Sequence, residues 1–367
     1  MLRRKLEELY NIVPRGTMQT APSNVPVSPN RDPLLIDLAL QGGGAHGAYT
    51  WGVLDRLLEE PWLRIDGISG TSAGAMNAAV LVYGHSLRGN FGARNALEGF
   101  WRRVSEAGRL SPVQRWPIDI LLGRWTLEDS PAYIAIDMMS RLFSPYDINL
   151  SGWNPLRNIL TEEVDFERVA ESPIKLFITA TNVATGRARV FRNRDITPEV
   201  LIASACLPTM FQAIKIDGEA YWDGGYSGNP TITPLVRETA AQDTIIIQIN
   251  PIERKGIPRA ASDILNRLNE VAFNAVLLKE LRMIALLRRV ADPGHEEGEK
   301  WSKMRVHYVP NEILTEFNAS SKLIAEWDFF CLLRDEGRRS AQAFLEHHAK
   351  DLGRRSGLDL DILLEGV

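Results

Sequence analysis

Ser72 lies in the pentapeptide Gly70-Thr71-Ser72-Ala73-Gly74, between a strand-like apolar run, Leu63 to Ile68, and a helix-like run, Ala75 to Tyr83. A serine on such a turn projects its hydroxyl from the end of a strand. Flanking glycines, which lack a Cβ, let the helix and neighbouring strands come close. The hydroxyl also stands at a helix N-terminus, whose partial positive charge favours a developing alkoxide or oxyanion. The chemistry predicted is nucleophilic attack on a carbonyl. Glycine-serine turns are common in loops, so the assignment needs partners elsewhere in the chain.

A serine nucleophile needs a group to take its proton, ordinarily a histidine oriented by a carboxylate. The histidines are poorly placed for this: His46 is inside a glycine-rich turn, His85 follows the helix after Ser72, and His295 is in a charged loop. His307, His347 and His348 come late in the chain. Of these His307 is best placed, near a strand end, yet an ordinary hydrogen-bonded strand histidine describes it better. Asp223 is a stronger candidate, in Ile216-Asp217-Gly218-Glu219-Ala220-Tyr221-Trp222-Asp223-Gly224-Gly225. Asp217-Gly218 suits a tight hairpin turn, and the glycines after Asp223 permit close approach of another backbone. An Asp-Gly pair alone is also a common turn former. Aromatic enclosure favours the base, because partial desolvation raises a carboxylate's proton affinity.

A third segment, Gly42-Gly43-Gly44-Ala45-His46-Gly47, follows the strand-like run Leu34 to Leu40 and opens a helix-like run to about Glu60. Gly42, Gly44 and Gly47 have dinucleotide-fingerprint spacing, and Asp66 lies 19 residues further on, where a ribose-binding acid would fall. The second strand nevertheless runs past Asp66 into the serine turn, which a dinucleotide site leaves unexplained. Consecutive glycine N–H groups at a helix start can instead aim donors at an oxyanion. A single hydrolytic site then uses both motifs.

Taken in order, the three segments resemble the patatin-like phospholipases. The resemblance spans about Leu34 to Asn250 and includes Ala203-Ser204-Ala205-Cys206-Leu207-Pro208, similar to the small-residue helix end and proline turn that precede the aspartate motif. It implies a three-layer α/β/α fold with a mainly parallel central sheet, and a lipid acyl hydrolase with a serine-aspartate dyad and no metal or cofactor. Ser72 would be the nucleophile and Asp223 the base. The N–H groups of Gly43 and Gly44 would be the main oxyanion donors, with Gly42 shaping the turn and His46, Gly70, Gly74, Gly224 and Gly225 in support. One position departs from the pattern: the family usually has Arg or Lys where this chain has His46, so a titratable group replaces a permanent charge. His46 is expected to order the loop by hydrogen bonding, with its protonation as a second possible influence on activity. The implied substrates are fatty acyl esters of phospholipids or lysophospholipids, cleaved through an acyl-enzyme. Alternatives are an esterase or depolymerase acting on soluble esters or storage polyester, a non-catalytic lipid-binding protein, and the dinucleotide enzyme above.

The remaining features bound this reading. A chain of 367 residues with 45% hydrophobic and 24% charged residues is ordinary globular material, large enough for one big domain or two smaller ones. A net charge of −4 offers no bulk attraction for nucleic acid. The two cysteines, Cys206 and Cys331, each in an apolar helix-like stretch, read as reduced core residues, and neither has a histidine at zinc-ligand spacing. Arg3, Arg4 and Lys5 are followed by no apolar signal region, and no apolar run has transmembrane length, which predicts a cytoplasmic protein. A helical N-terminus would align Leu2, Leu6, Leu9, Tyr10 and Val13, leaving peripheral membrane contact open.

The expected organisation is an N-terminal extension and proline-rich linker over 1–33, a catalytic domain over 34–310, and a helical extension over 311–367. A cap-like insertion at about 109–160 carries Trp116, Trp125 and Trp153 among interrupting prolines. A long helix over about 260–291 is expected to bury Ile264, Leu268, Val271, Ala275, Leu278 and Leu281. A closing helix or helix pair over 322–348 is expected to turn Leu323, Trp327, Phe330, Leu333 and Phe344 inward.

Overall fold

The computed structural model describes residues 31–149, 152 and 154–364, so the N-terminal amphipathic face and Trp153 lie outside the described residues. The apolar runs of the sequence become β1 (Leu34–Leu40), β2 (Leu63–Gly70) and β3 (Lys175–Asn182). There follow β4 (Ala188–Arg192), β5 (Ile214–Ile216), β6 (Glu219–Asp223), β7 (Asp243–Ile247) and β8 (Arg305–Val309). They form one eight-stranded sheet of order β5-β6-β3-β2-β1-β7-β8, with β4 paired to β3. β3, β2, β1, β7 and β8 are parallel, and β4, β5 and β6 add antiparallel pairs at one side.

Strands buried on both faces explain the nearly continuous apolar runs. Ile36, Leu38 and Leu40 enter one core while Ala39 enters the other; Ile245 and Ile247 are likewise separated from Ile246. The first core is closed by α1 (Gly47–Leu57) and α2 (Ala73–Gly108), with α3 (Pro198–Ser204) beside β3. The second is closed by α4 (Ala261–Val290) through Leu277, Leu281 and Ile284. α5 (Trp327–His348) returns to the first face. The architecture is therefore the expected three-layer α/β/α with a mainly parallel sheet.

α5 lies directly on α1, because Gly52 faces the Arg334 carbonyl and Gly337 faces the Tyr49 carbonyl, each where a Cβ would collide. The helix that begins at the glycine-rich loop is thus braced by the C-terminal part of the chain. α2 breaks at Arg88 and Gly89, where Gly89 takes a positive φ of 57° and the Gly84 and Gly92 backbones meet.

Two packing expectations need correction. In α4 the stripe of Ile264, Leu268 and Val271 is exposed, while Glu270 and Asn274 are buried on the other side. Periodicity finds an apolar face but not its neighbour, and here the polar face finds buried partners of its own. α5 is one helix that starts at Trp327, and Leu323 precedes it and is exposed. In the insertion, Trp125 stacks on Phe329 at 4.9 Å, but Trp116 is exposed, and the helix Pro131–Leu142 buries no residue. Cys206 is buried as expected, just past the end of α3, whereas Cys331 is half-buried.

Candidate active site

The register of the sheet brings Ser72 and Asp223 together. β3 pairs through Lys175–Ile178 with the end of β2, placing Gly70 opposite Ile178. Two residues further on, Ala180 pairs with Asp223 at the end of β6. Ser72, two residues beyond Gly70, therefore emerges beside Asp223. The Asp217-Gly218 turn sets this register, with φ values of 54° and 82° that match a tight hairpin between β5 and β6.

Ser72 occupies a strained turn. Its φ of 54° and ψ of −121° lie outside the ordinary regions for a side chain with a Cβ, and α2 starts at the next residue. Two contacts hold it there: the Ser72 amide donates to Ser204 Oγ at 2.9 Å, and Ser204 donates to the Thr179 carbonyl at 2.7 Å. Gly74 packs against the Leu40 carbonyl and Gly70 against the Gly74 carbonyl, where side chains would force the turn apart.

Asp223 is 3% exposed, and its Oδ1 accepts from the Gly225 amide at 2.7 Å. Burial pushes its carboxyl up to about 7, opposed by the hydrogen bonds from Gly225 and from the Ser72 side chain. Gly224 lies against the Thr179 carbonyl and Gly225 against the Phe273 ring, so both neighbouring glycines are sites of close approach. The nearby Cys206 thiol is pushed up to about 12 by burial and by the Asp223 charge, and stays protonated.

The glycine-rich loop closes the other side. Gly42 approaches Ser72 so closely that an added Cβ would stand 2.7 Å from Ser72 Cβ. Its amide donates to Asn229 Oδ1 at 2.8 Å and its carbonyl accepts from Asn250 Nδ2 at 2.8 Å. Among the described residues the amides of Gly43 and Gly44 have no acceptor. Gly44 holds a positive φ of 59°, which turns the loop into the short helix ahead of α1.

His46 is 2% exposed, with Nε2 at 2.7 Å from Ser321 Oγ and its ring against Phe317 and Phe329. Burial, reinforced by the charges of Lys322 and Arg254, holds it well below the ordinary histidine range. His46 is therefore neutral and pins the loop to the Ser320–Leu323 segment. The structure brings together Ser72, Asp223, Gly42, Gly43, Gly44, Gly70, Gly74, Gly224 and Gly225, with His46 directly behind the loop.

The other candidates lie elsewhere. His307 in β8 is fully buried and contacts Asp243 at 2.9 Å, in a cluster completed by Arg305. Asp66 accepts from the amides of Ala240 and Ala241 and lies 3.6 Å from Lys175, so its carboxylate ties the early part of the sheet together. Sequence reasoning missed the polar frame: Ser204, Asn229, Asn250, Gln41 and Asn274. Gln41 Oε1 accepts from the Ile249 and Asn250 amides, and its Nε2 donates to Asn274 Oδ1. Only Ser204 had a usable signal, as the one hydroxyl in the quoted Ala203–Pro208 run.

No group of metal-ligating side chains and no membrane-crossing helix occurs among the described residues. No curated protein matches the chain. Solved structures that resemble it include VipD from Legionella pneumophila, at 17% identity and TM-score 0.35, covering 90% of this chain and 72% of that one; and full-length ExoU in complex with SpcU from the type III secretion system of Pseudomonas aeruginosa, at 18% identity and TM-score 0.32, covering 88% of this chain. The chain spans 53% of the ExoU chain. The family model described as patatin-like phospholipase matches residues 38–236, more than half of the sequence and the whole interval from the glycine-rich loop to the Asp223 turn, and the chain belongs to that family.

Proposed function

We propose that the protein hydrolyses fatty acyl esters of phospholipids or lysophospholipids through an acyl-enzyme on Ser72. The observation that supports the reading is that the Ser72 side chain hydrogen-bonds to the buried Asp223 carboxyl while Gly42, which packs against Ser72, leads into two amides that have no acceptor among the described residues. Asp223 takes the Ser72 proton as Oγ attacks the ester carbonyl. The Gly43 and Gly44 amides receive the tetrahedral oxyanion, its collapse expels the alcohol with the proton returned by Asp223, and Asp223 then takes a proton from the water that attacks the acyl-enzyme and passes it to Ser72 Oγ as the fatty acid leaves. An apolar surface accords with such a substrate: Ile134, Ile136, Met138 and Met139 are exposed on Pro131–Leu142, and Tyr226, three residues past Asp223, is exposed as well.

The decisive experiment measures free fatty acid released from mixed phosphatidylcholine and phosphatidylglycerol vesicles, for wild type and Ser72→Ala, with and without a chelator. Release that depends on Ser72 and is unchanged by the chelator is the expected result. Ser72-dependent cleavage of a short soluble ester without release from vesicles would keep the chemistry and overturn the lipid substrate.

The pH profile follows from Asp223. A base must be ionised, and this carboxyl sits at about 7, so kcat/KM on a soluble ester should fall as pH drops through about 7. His46 is neutral throughout this range, so His46→Gln should lower activity by loosening the loop while leaving the midpoint in place. A midpoint displaced by a full unit in His46→Gln would assign the titration to the wrong group.

A further inference from the structure

Behind the oxyanion-type loop two hydrogen bonds in series link three residues, starting on a cation. Lys322 Nζ donates to Asn250 Oδ1 at 2.7 Å, and Asn250 Nδ2 donates to the Gly42 carbonyl at 2.8 Å. The Asn250 backbone is itself fixed, its amide donating to Gln41 Oε1 at 2.7 Å. The Gly42 carbonyl and the Gly43 N–H belong to one planar trans peptide and point in opposite directions. A donor seated on that carbonyl therefore aims the Gly43 N–H and, by polarising the amide, strengthens it as a donor.

Lys322 also touches the loop through its backbone: a Cβ on Gly44 would stand 2.6 Å from the Lys322 carbonyl oxygen. Among the described residues its ammonium makes no ion pair. The charged and titratable groups that face it are Glu270 on α4, Arg254 in the loop before α4, and His46. Glu270 is already held by Arg254 at 2.8 Å and by Arg267 at 3.2 Å, and His46 is neutral. The Lys322 charge is thus left to act on the loop, in a setting of low dielectric.

We propose that Lys322 is a positioning residue for hydrolysis at Ser72, orienting and polarising the Gly42–Gly43 peptide through Asn250 so that the Gly43 N–H meets the oxyanion. The inference rests on the hydrolytic reading above. Both relay residues lie beyond residues 38–236 that match the family, so the motif pattern does not carry them. Burial, opposed by Glu270 and reinforced by Arg254, lowers the Lys322 ammonium to about 8. The relay should therefore be fully charged below that pH and lose its charge above it.

The test compares kcat and KM on a short soluble ester from pH 6 to 10 for wild type, Lys322→Met, Lys322→Arg, Asn250→Ala and the double variant Lys322→Met/Asn250→Ala. Ser72→Ala is measured alongside against a buffer blank, and thermal midpoints are recorded for all. Complete loss of an oxyanion donor costs about 10²- to 10³-fold, so a donor left in place but misaimed should cost about 10-fold in kcat. Lys322→Met should show that loss with KM nearly unchanged, and Lys322→Arg should restore most of it. The double variant should be no worse than Asn250→Ala, because both act through one chain. The wild-type decline in kcat above about pH 8 should vanish in Lys322→Met. Wild-type kcat in Lys322→Met, additive losses in the double variant, or a loss that tracks a lowered thermal midpoint and is not rescued by Arg would overturn the relay while Ser72→Ala stays inactive. An active Ser72→Ala would instead overturn the hydrolytic reading itself.

Discussion

Ester cleavage by Ser72→Ala should fall to the level of the blank, a loss of about 10⁶-fold in kcat, and Asp223→Asn should lose about 10⁴-fold or more. The two side chains act as a unit, so the double variant should be little worse than Ser72→Ala alone. Stability separates this result from misfolding. Burial raises the Asp223 carboxyl from its ordinary 3.8 to about 7, so the folded protein holds that proton more tightly than the unfolded chain does. This linkage favours folding at low pH, and the advantage is lost as pH rises through about 7. Asparagine keeps the shape without the buried charge. Asp223→Asn should thus melt at or above the wild-type temperature at pH 8 while remaining inactive. An inactive variant that melts well below wild type would have lost its fold, and an active one would remove Asp223 from the chemistry.

Gly43→Ala should cost nearly as much as losing one oxyanion donor outright, about 10²- to 10³-fold in kcat. The added methyl would strike Ile249 Cγ2, a fully buried side chain that cannot retreat, so the loop must shift instead. Gly43 has an extended φ of 174°, so the expected loss comes from displacement of the donor and not from backbone strain. Steady-state kinetics on a soluble ester provide the check, with kcat reduced and KM little altered. Labelling of Ser72 by a fluorophosphonate should slow in parallel, because that reaction also develops charge on an oxygen facing the same amides. Unimpaired kcat in Gly43→Ala would move the oxyanion away from this loop.

Much of this site could be read from local chemistry. A serine between glycines after a strand, a glycine triad after another strand, and Asp223 after an aromatic strand end each carry their own backbone requirement, and the structure meets all three: Ser72 at φ 54°, Gly44 at φ 59°, and the hairpin turn at Asp217 and Gly218. The parallel strands were legible for the same reason, since a strand buried on both faces must be apolar along its whole length.

What local chemistry could not supply was the identity of each face's neighbour. The exposed stripe of α4 and the exposed helix Pro131–Leu142 have apolar patterns indistinguishable from core patterns, while Glu270 and Asn274 look like surface residues and are buried. Their partners come from outside the helix, Arg254 from the loop 16 residues before Glu270 and Gln41 from 233 residues before Asn274, and only the tertiary fold decides that they meet. His46 shows the same division: its position beside the glycines was evident, whereas its neutrality follows from Phe317, Phe329 and Ser321 closing over it. Residue types and spacing singled out the groups proposed to do chemistry, because a nucleophile, a base and oxyanion donors each impose a local backbone form. Tertiary packing alone decided their proton affinities and the aim of the amides, because desolvation and long-range hydrogen bonds depend on what the fold brings near.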